Sequence, residues 1–228
     1  GSFSKLFLPI LDGEVAIKFP PLTQGLGVMG ACSADASLRI AVNVAEIVGR
    51  ILWHTLDFER EDLELIHQKL DFYGFNVYNG TVTFGTPREE YGDYQFQGSP
   101  RTTVDWPITP SALYWSPRFL YERYQTPLLI TENGMAGMDW VSLDGQVHDM
   151  QRIDYLHRYL LELHRAIEEG IPVIGYTCWS AIDNLEWNSG YEKRFGLIFV
   201  DYRTMKRTIK DSGFWYRNVI ESNGESLF

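Results

Sequence analysis

The stretch Met150–Trp179, MQRIDYLHRYLLELHRAIEEGIPVIGYTCW, reads as a helix, a stop and a buried strand. Ile153, Leu156, Leu160, Leu163 and Ile167 recur at the three-and-four spacing of an amphipathic helix, and charged residues fill the opposite face. His157 and His164 fall on that polar side and are expected to face solvent. Gly170 and Pro172 are helix-stop signals. VIGYTCW, Val173–Trp179, is apolar, β-branched and aromatic with no polar alternation, the pattern of a strand covered on both faces. A helix that delivers the chain into such a strand is the repeating unit of a parallel α/β sheet.

The same unit recurs upstream. PLLIT, Pro127–Thr131, is a strand preceded by a helical pattern that Thr109-Pro110 opens, with Leu113, Phe119 and Leu120 on its apolar side. Pro117 is expected to interrupt or kink that helix, because proline removes a backbone donor and crowds the preceding turn. DFYGFNVY, Asp71–Tyr78, reads as a strand after a short helical stretch near Glu61 to Lys69. GLGVMGAC, Gly25–Cys32, is a weaker strand, followed by the apolar-rich helix ASLRIAVNVAEIVGRIL. The pattern gives four units, whereas a closed (β/α) barrel needs eight and about 250 residues. Residues 81–105, rich in Gly, Thr and Tyr, read as one long loop.

Composition narrows the function. With 30 acidic against 20 basic residues and no basic cluster, the chain offers no electrostatic footprint for nucleic acid or an anionic membrane. Cys32 and Cys178 lie too far apart to form a disulfide framework, and neither belongs to a metal-binding spacing. The five histidines show no HExxH pattern, so neither metal nor cofactor is expected. The opening apolar run is shorter than a signal-peptide core, which makes a cytoplasmic location the default expectation.

Polar residues gather where the strands run out: Asn76 and Tyr78, then Glu132 and Asn133, then Trp179. A carboxylate beside a phenol and amides, among tryptophans, suits chemistry on a neutral, hydroxyl-rich substrate. The segments DFYGFNVY, ITENG and WSAIDNLEWNSGYEKRFGLIFVDY resemble, in order, signature segments of glycoside hydrolase family 1, the β-glucosidase family. DWPITPSALYWSPRFLYERYQTP also fits. The resemblance is strong from about Glu61 to Ile220, within a half-barrel segment 61–228, and weak over 1–60, which would correspond to the fifth strand and helix of the family's barrel. It implies that the chain is the C-terminal half, about strands 5 to 8, of a (β/α)8 TIM barrel.

The resemblance also implies roles. Glu132 would be the nucleophile of a retaining mechanism, and Tyr78 would hydrogen-bond to it and orient it. Asn76 would lie at the glycone site. Glu186 would accept bonds from two sugar hydroxyls while Trp187 covers an apolar sugar face, and Trp179 and Phe195 would wall the pocket. Asp183 and Asn184 read as structural polar residues, and Arg194 as an ion-pair partner. Members acting on phosphorylated sugars usually carry serine where this chain has Glu186, so unphosphorylated β-glucosides or oligosaccharides are the expected substrates.

A retaining glycosidase needs a second carboxyl group as acid and base. In this family it sits in a Thr-x-Asn-Glu-Pro segment, and no Asn-Glu-Pro occurs here. Four barrel strands alone would expose two sheet edges and an inner face. The expected remedies are a complementary N-terminal half-barrel chain, self-association, or a longer natural protein of which this is a fragment. A non-catalytic sugar-binding or half-barrel scaffold module is the alternative reading.

Overall fold

The computed structural model describes residues 69–80 and 98–228 in full, together with the backbone of three two-residue strands. Those strands are β1 (Cys32–Ser33), β3 (Thr83–Phe84) and β4 (Gly92–Asp93). The other strands are β2 (Tyr73–Asn79), β5 (Leu128–Asn133), β6 (Val173–Cys178), β7 (Ile198–Val200) and β8 (Arg207–Ile209). The helices are α1 (Ala112–Tyr124), α2 (Met150–Glu168) and α3 (Asp211–Glu221). The sequence readings on the helical stretch before Lys69, on Gly25–Ala31 and on the helix Ala36–Leu52 fall outside the described residues.

The fold is α/β with a parallel sheet. Strands β1, β2, β5 and β6 stand side by side in chain order, every neighbouring pair parallel. Parallel pairing requires a crossover, and α1 and α2 supply those from β2 to β5 and from β5 to β6. Tyr155, Leu156, Tyr159, Leu160 and Leu163 of α2 are buried against Val77, Ile130 and Tyr176 of the sheet. Burying a leucine of this kind contributes about 1.5–3 kcal/mol, so this face, more than helix propensity, holds α2 in place.

Four details depart from the sequence reading. Pro117 sits inside α1 without interrupting it: the helix runs on from Ala112 to Tyr124, with Leu113 and Leu120 buried on its apolar face. The loop expected over 81–105 contains an antiparallel pair, β3 with β4. Strand β5 runs two residues past Thr131, so Glu132 belongs to the strand itself. His157 and His164 are half-buried: His157 Nε2 lies 2.8 Å from the Leu227 carbonyl, and the His164 ring packs against Phe228. The C-terminal turn folds back over α2 and covers a side that composition alone assigns to water.

Candidate active site

The site is set up by a register fault in β5. Leu128 and Ile130 are fully buried toward the helices, and strict alternation would send Glu132 the same way. Pairing with β2 slips between Phe75↔Ile130 and Asn76↔Glu132, leaving Thr131 as an extra residue. Beyond the slip the faces are exchanged. Asn133 turns to the helix side, where its amide reaches Tyr155 of α2 at 3.2 Å. Glu132 turns to the side of Tyr78, and the Thr131 hydroxyl donates to Asn76 Oδ1 at 2.6 Å.

The Tyr78 hydroxyl donates to Glu132 Oε2 at 2.7 Å. Burial, the Glu132 bond and charge, and the more remote Glu186 charge together push the Tyr78 phenol far above its ordinary value. It therefore remains protonated and can only donate to the carboxylate. Burial raises the Glu186 carboxyl and the Glu132 charge raises it further, while a hydrogen bond with the Trp179 side chain works in the opposite direction. Two carboxylates that sense each other beside a neutral phenol form a polar centre able to grip hydroxyl groups and to place one nucleophilic oxygen.

Aromatic rings back this centre. Phe195 meets Tyr78 nearly edge-on at 6.2 Å, and Trp106 lies 5.1 Å from Tyr78 and 6.2 Å from Phe195. Trp106 was not singled out from the sequence, where it lies in the connection before α1 and follows no helical or strand period. Asn76, Tyr78, Glu132, Trp179, Glu186 and Phe195 are thus brought into one neighbourhood. Trp187 differs: it sits on a short 3-10 turn, Trp187–Ser189, with 77% of its surface exposed. Cys178, at the end of β6, is a free thiol pushed up to about 12 by burial, and so is inert as a nucleophile at neutral pH.

The segment from Trp179 to Leu197 carries four of these residues and is pinned at both ends. The Trp179 N–H donates to the Asn133 carbonyl at 2.8 Å, and Ser180 and Leu197 exchange backbone bonds with Phe195 and Ser180. The Trp179–Ser180 peptide is cis. Gly134 makes the approach feasible: a Cβ there would stand 1.8 Å from the Trp179 carbonyl oxygen.

Beneath this segment lies a buried ion network. Asp183 accepts from Lys210 Nζ at 2.8 Å, Arg194 Nη1 at 2.6 Å and the Gly196 N–H at 3.0 Å. Lys210 Nζ also reaches Asp139 at 2.6 Å, and Arg152 joins Asp139 at 2.7 Å and Asp149. Burial and the Arg152 charge hold the Lys210 amine below its ordinary value despite the two aspartates. Arg194 forms the kind of ion pair expected of it, with Asp183, whereas Arg152, a charged residue buried on the core side of α2, was missed. Among the described residues, no set of three or more His, Cys, Asp or Glu is arranged to hold a metal ion. None of the described helices is long and apolar enough to cross a membrane.

Comparison with known proteins points one way. The model of the family described as Glycosyl hydrolase family 1 matches residues 41–225. The chain is 45% identical to beta-glucosidase A of Thermotoga maritima over 72% of this chain and 37% of that one. It is 40% identical to beta-glucosidase A of Acetivibrio thermocellus, over 74% and 39% of the respective chains. An aryl-phospho-beta-D-glucosidase of Bacillus subtilis is 38% identical over 76% and 40%. Among solved structures, the Thermotoga maritima beta-glucosidase in complex with azafagomine matches with a TM-score of 0.71 at 41% identity, covering 80% of this chain and 41% of that one. The complex with glucoimidazole matches with a TM-score of 0.66 at 45% identity, covering 72% and 37%. The chain therefore spans about two fifths of the length of the relatives it matches.

Proposed function

The chain belongs to glycosyl hydrolase family 1, and from that premise we propose that it supplies the nucleophile and glycone site of a retaining β-glucosidase-type hydrolase. Family 1 glycosidases are (β/α)8 barrels, and the in-order parallel strands support reading this chain as barrel strands 5 to 8. In the proposed reaction a Glu132 oxygen attacks the anomeric carbon. The bond to the leaving oxygen breaks, that oxygen takes a proton from a general acid, and a glycosyl ester forms on Glu132. Water, deprotonated by the same group, then cleaves the ester and restores the carboxylate.

Tyr78 holds Glu132 in line for attack. Glu186, with the Trp179 side chain bonded to it, grips sugar hydroxyls, Asn76 adds an amide, and Phe195 and Trp187 provide apolar surface. The acid/base carboxyl is assigned to an N-terminal half, on a longer form of the same polypeptide or on a separate one, because the given sequence holds no Asn-Glu-Pro. That half, or a second copy of this chain, is the proposed partner. Unphosphorylated β-glucosides are the proposed substrates. A sugar phosphate would bring a dianion to a centre that already holds two carboxylates, one of them raised by the other. A cytoplasmic location is the default that goes with the same reading.

The observation that carries this reading is the Tyr78–Glu132 bond across a strand slip that turns Glu132 off the helix face. Its test is hydrolysis of 4-nitrophenyl β-glucoside by the chain combined with an acid-bearing half from a relative. Turnover that vanishes in Glu132→Gln supports it; turnover that survives the change overturns it. The second reading, a sugar-binding module, is favoured by the Trp179–Glu186 contact, which needs no acid. It predicts glucose binding by calorimetry without hydrolysis in any mixture.

A further inference from the structure

Tyr78 is held from both ends, by Glu132 at its hydroxyl and by two phenols at its main-chain carbonyl. Its main-chain carbonyl accepts hydrogen bonds from two phenols of α2, Tyr155 and Tyr159, each at 2.9 Å. The two rings stack with centroids 3.9 Å apart, as residues four apart on one helix face can. Both lone pairs of the carbonyl are filled.

The phenols are themselves fixed. Tyr159 accepts from the Thr109 N–H at 2.8 Å, and Tyr155 accepts from the Asn133 amide at 3.2 Å. Asn133, adjacent to Glu132, also donates to the Val77 carbonyl at 2.8 Å and accepts from the Tyr176 hydroxyl at 2.8 Å. All four side chains are buried, and burial raises the three phenols above their ordinary value, so they stay neutral donors.

We infer that Tyr155 and Tyr159 are positioning residues: by clamping the Tyr78 carbonyl they aim its hydroxyl at Glu132, and Tyr155, through Asn133, also locks the neighbouring strand tip. The inference rests on the reading of Glu132 as nucleophile only for its consequence in catalysis. The geometry it concerns, the Tyr78–Glu132 hydrogen bond, exists whether or not Glu132 reacts. If these tyrosines served only to satisfy buried polar groups, removing a hydroxyl would lower stability but leave that bond alone.

The test uses the full chain with tyrosine labelled at the ring Cζ carbon. The Tyr78 resonance is identified by its loss in Tyr78→Phe, and its displacement in Glu132→Gln calibrates loss of the bond to the carboxylate. Tyr159→Phe and Tyr155→Phe are each expected to move it toward the Glu132→Gln position. Tyr114→Phe is the control, since its hydroxyl serves Glu169 at the far end of α2, and should leave the resonance in place. A Tyr78 resonance unmoved in a folded Tyr159→Phe or Tyr155→Phe chain would overturn the inference.

A kinetic arm follows covalent labelling by 2,4-dinitrophenyl 2-deoxy-2-fluoro-β-glucoside, whose leaving group needs no acid. Tyr159→Phe should slow labelling about three- to tenfold, and the effect should disappear in a Tyr78→Phe background. Equal slowing in both backgrounds counts against action through Tyr78. A chain that shows the resonance shifts but takes no label, either alone or with an acid-bearing half from a relative, refutes the nucleophile reading and leaves the positioning device standing.

Discussion

Asp183→Asn tests the ion network that holds the Glu186 segment. Asp183 is fully buried and accepts from Lys210, Arg194 and the Gly196 N–H. The network balances three carboxylates, Asp139, Asp149 and Asp183, against three cations, Arg152, Arg194 and Lys210. An amide keeps the shape, but it leaves one positive charge uncompensated and turns an NH2 donor toward groups that are themselves donors. Breaking one partner of a buried pair costs about 3–5 kcal/mol. Arg194 retains 18% exposure and can recruit water, which places the expected loss near the lower end, about 3 kcal/mol. For a chain of this size that is a fall in Tm of about 6–12 °C. Urea titration gives the free energy and calorimetry the midpoint. Lys210→Met in the same chain removes the surplus charge, and the double variant should recover part of the loss. A single variant within about 0.5 kcal/mol of the parent, the range of ordinary surface changes, would refute the reasoning, as would strictly additive losses in the double variant.

Three further outcomes are expected. Tyr78→Phe deletes a charge-assisted bond worth about 1.5–3 kcal/mol, so covalent labelling of Glu132 should slow about ten- to a hundredfold with folding intact; an unchanged rate contradicts its role. Gly134→Ala puts a methyl against the Trp179 carbonyl and should cost about 1–3 kcal/mol in urea while displacing the β6–β7 segment; a neutral change would show that the approach is looser than described. His148 is clamped by Asp211 and Asp144, whose bonds hold its imidazole above the ordinary value. Because the folded value is raised, the stabilisation is fully present below the ordinary imidazole value and lost as pH rises through the raised one. The urea midpoints of the parent and His148→Gln should therefore converge between mildly acidic and alkaline pH; a gap independent of pH sinks the argument.

The strand and helix order could be read from sequence because continuous apolar runs alternate with helical periods, although in the described residues only the helix side of the strands is closely covered and Ile174 of β6 is 46% exposed. The strands expected at Pro127–Thr131 and Val173–Trp179 are β5, Leu128–Asn133, and β6, Val173–Cys178, and the helix expected over Met150–Glu169 is α2 to within one residue. Other features had no such signature. The slip at Thr131 depends on pairing between residues 55 apart, and alternation alone aims Glu132 at the wrong face. Arg152 looks like a solvent-facing charge until Asp139 and Asp149, from elsewhere in the chain, surround it. The gathering of Tyr155, Tyr159 and Tyr176 on Asn133 and Tyr78 likewise exists only once three strands and a helix are assembled. Resemblance supplied the role of Glu132, and geometry supplied its bond to Tyr78.

The most direct measurement is peptide mass spectrometry after incubation with the 2-fluoro-glucoside, alone and with an acid-bearing half. A single fluoroglucosyl adduct on the peptide Leu128–Gly134, at Glu132 and absent from Glu132→Gln, is the expected result. An adduct on any other carboxylate, or none in either mixture, would contradict Glu132 as the nucleophile.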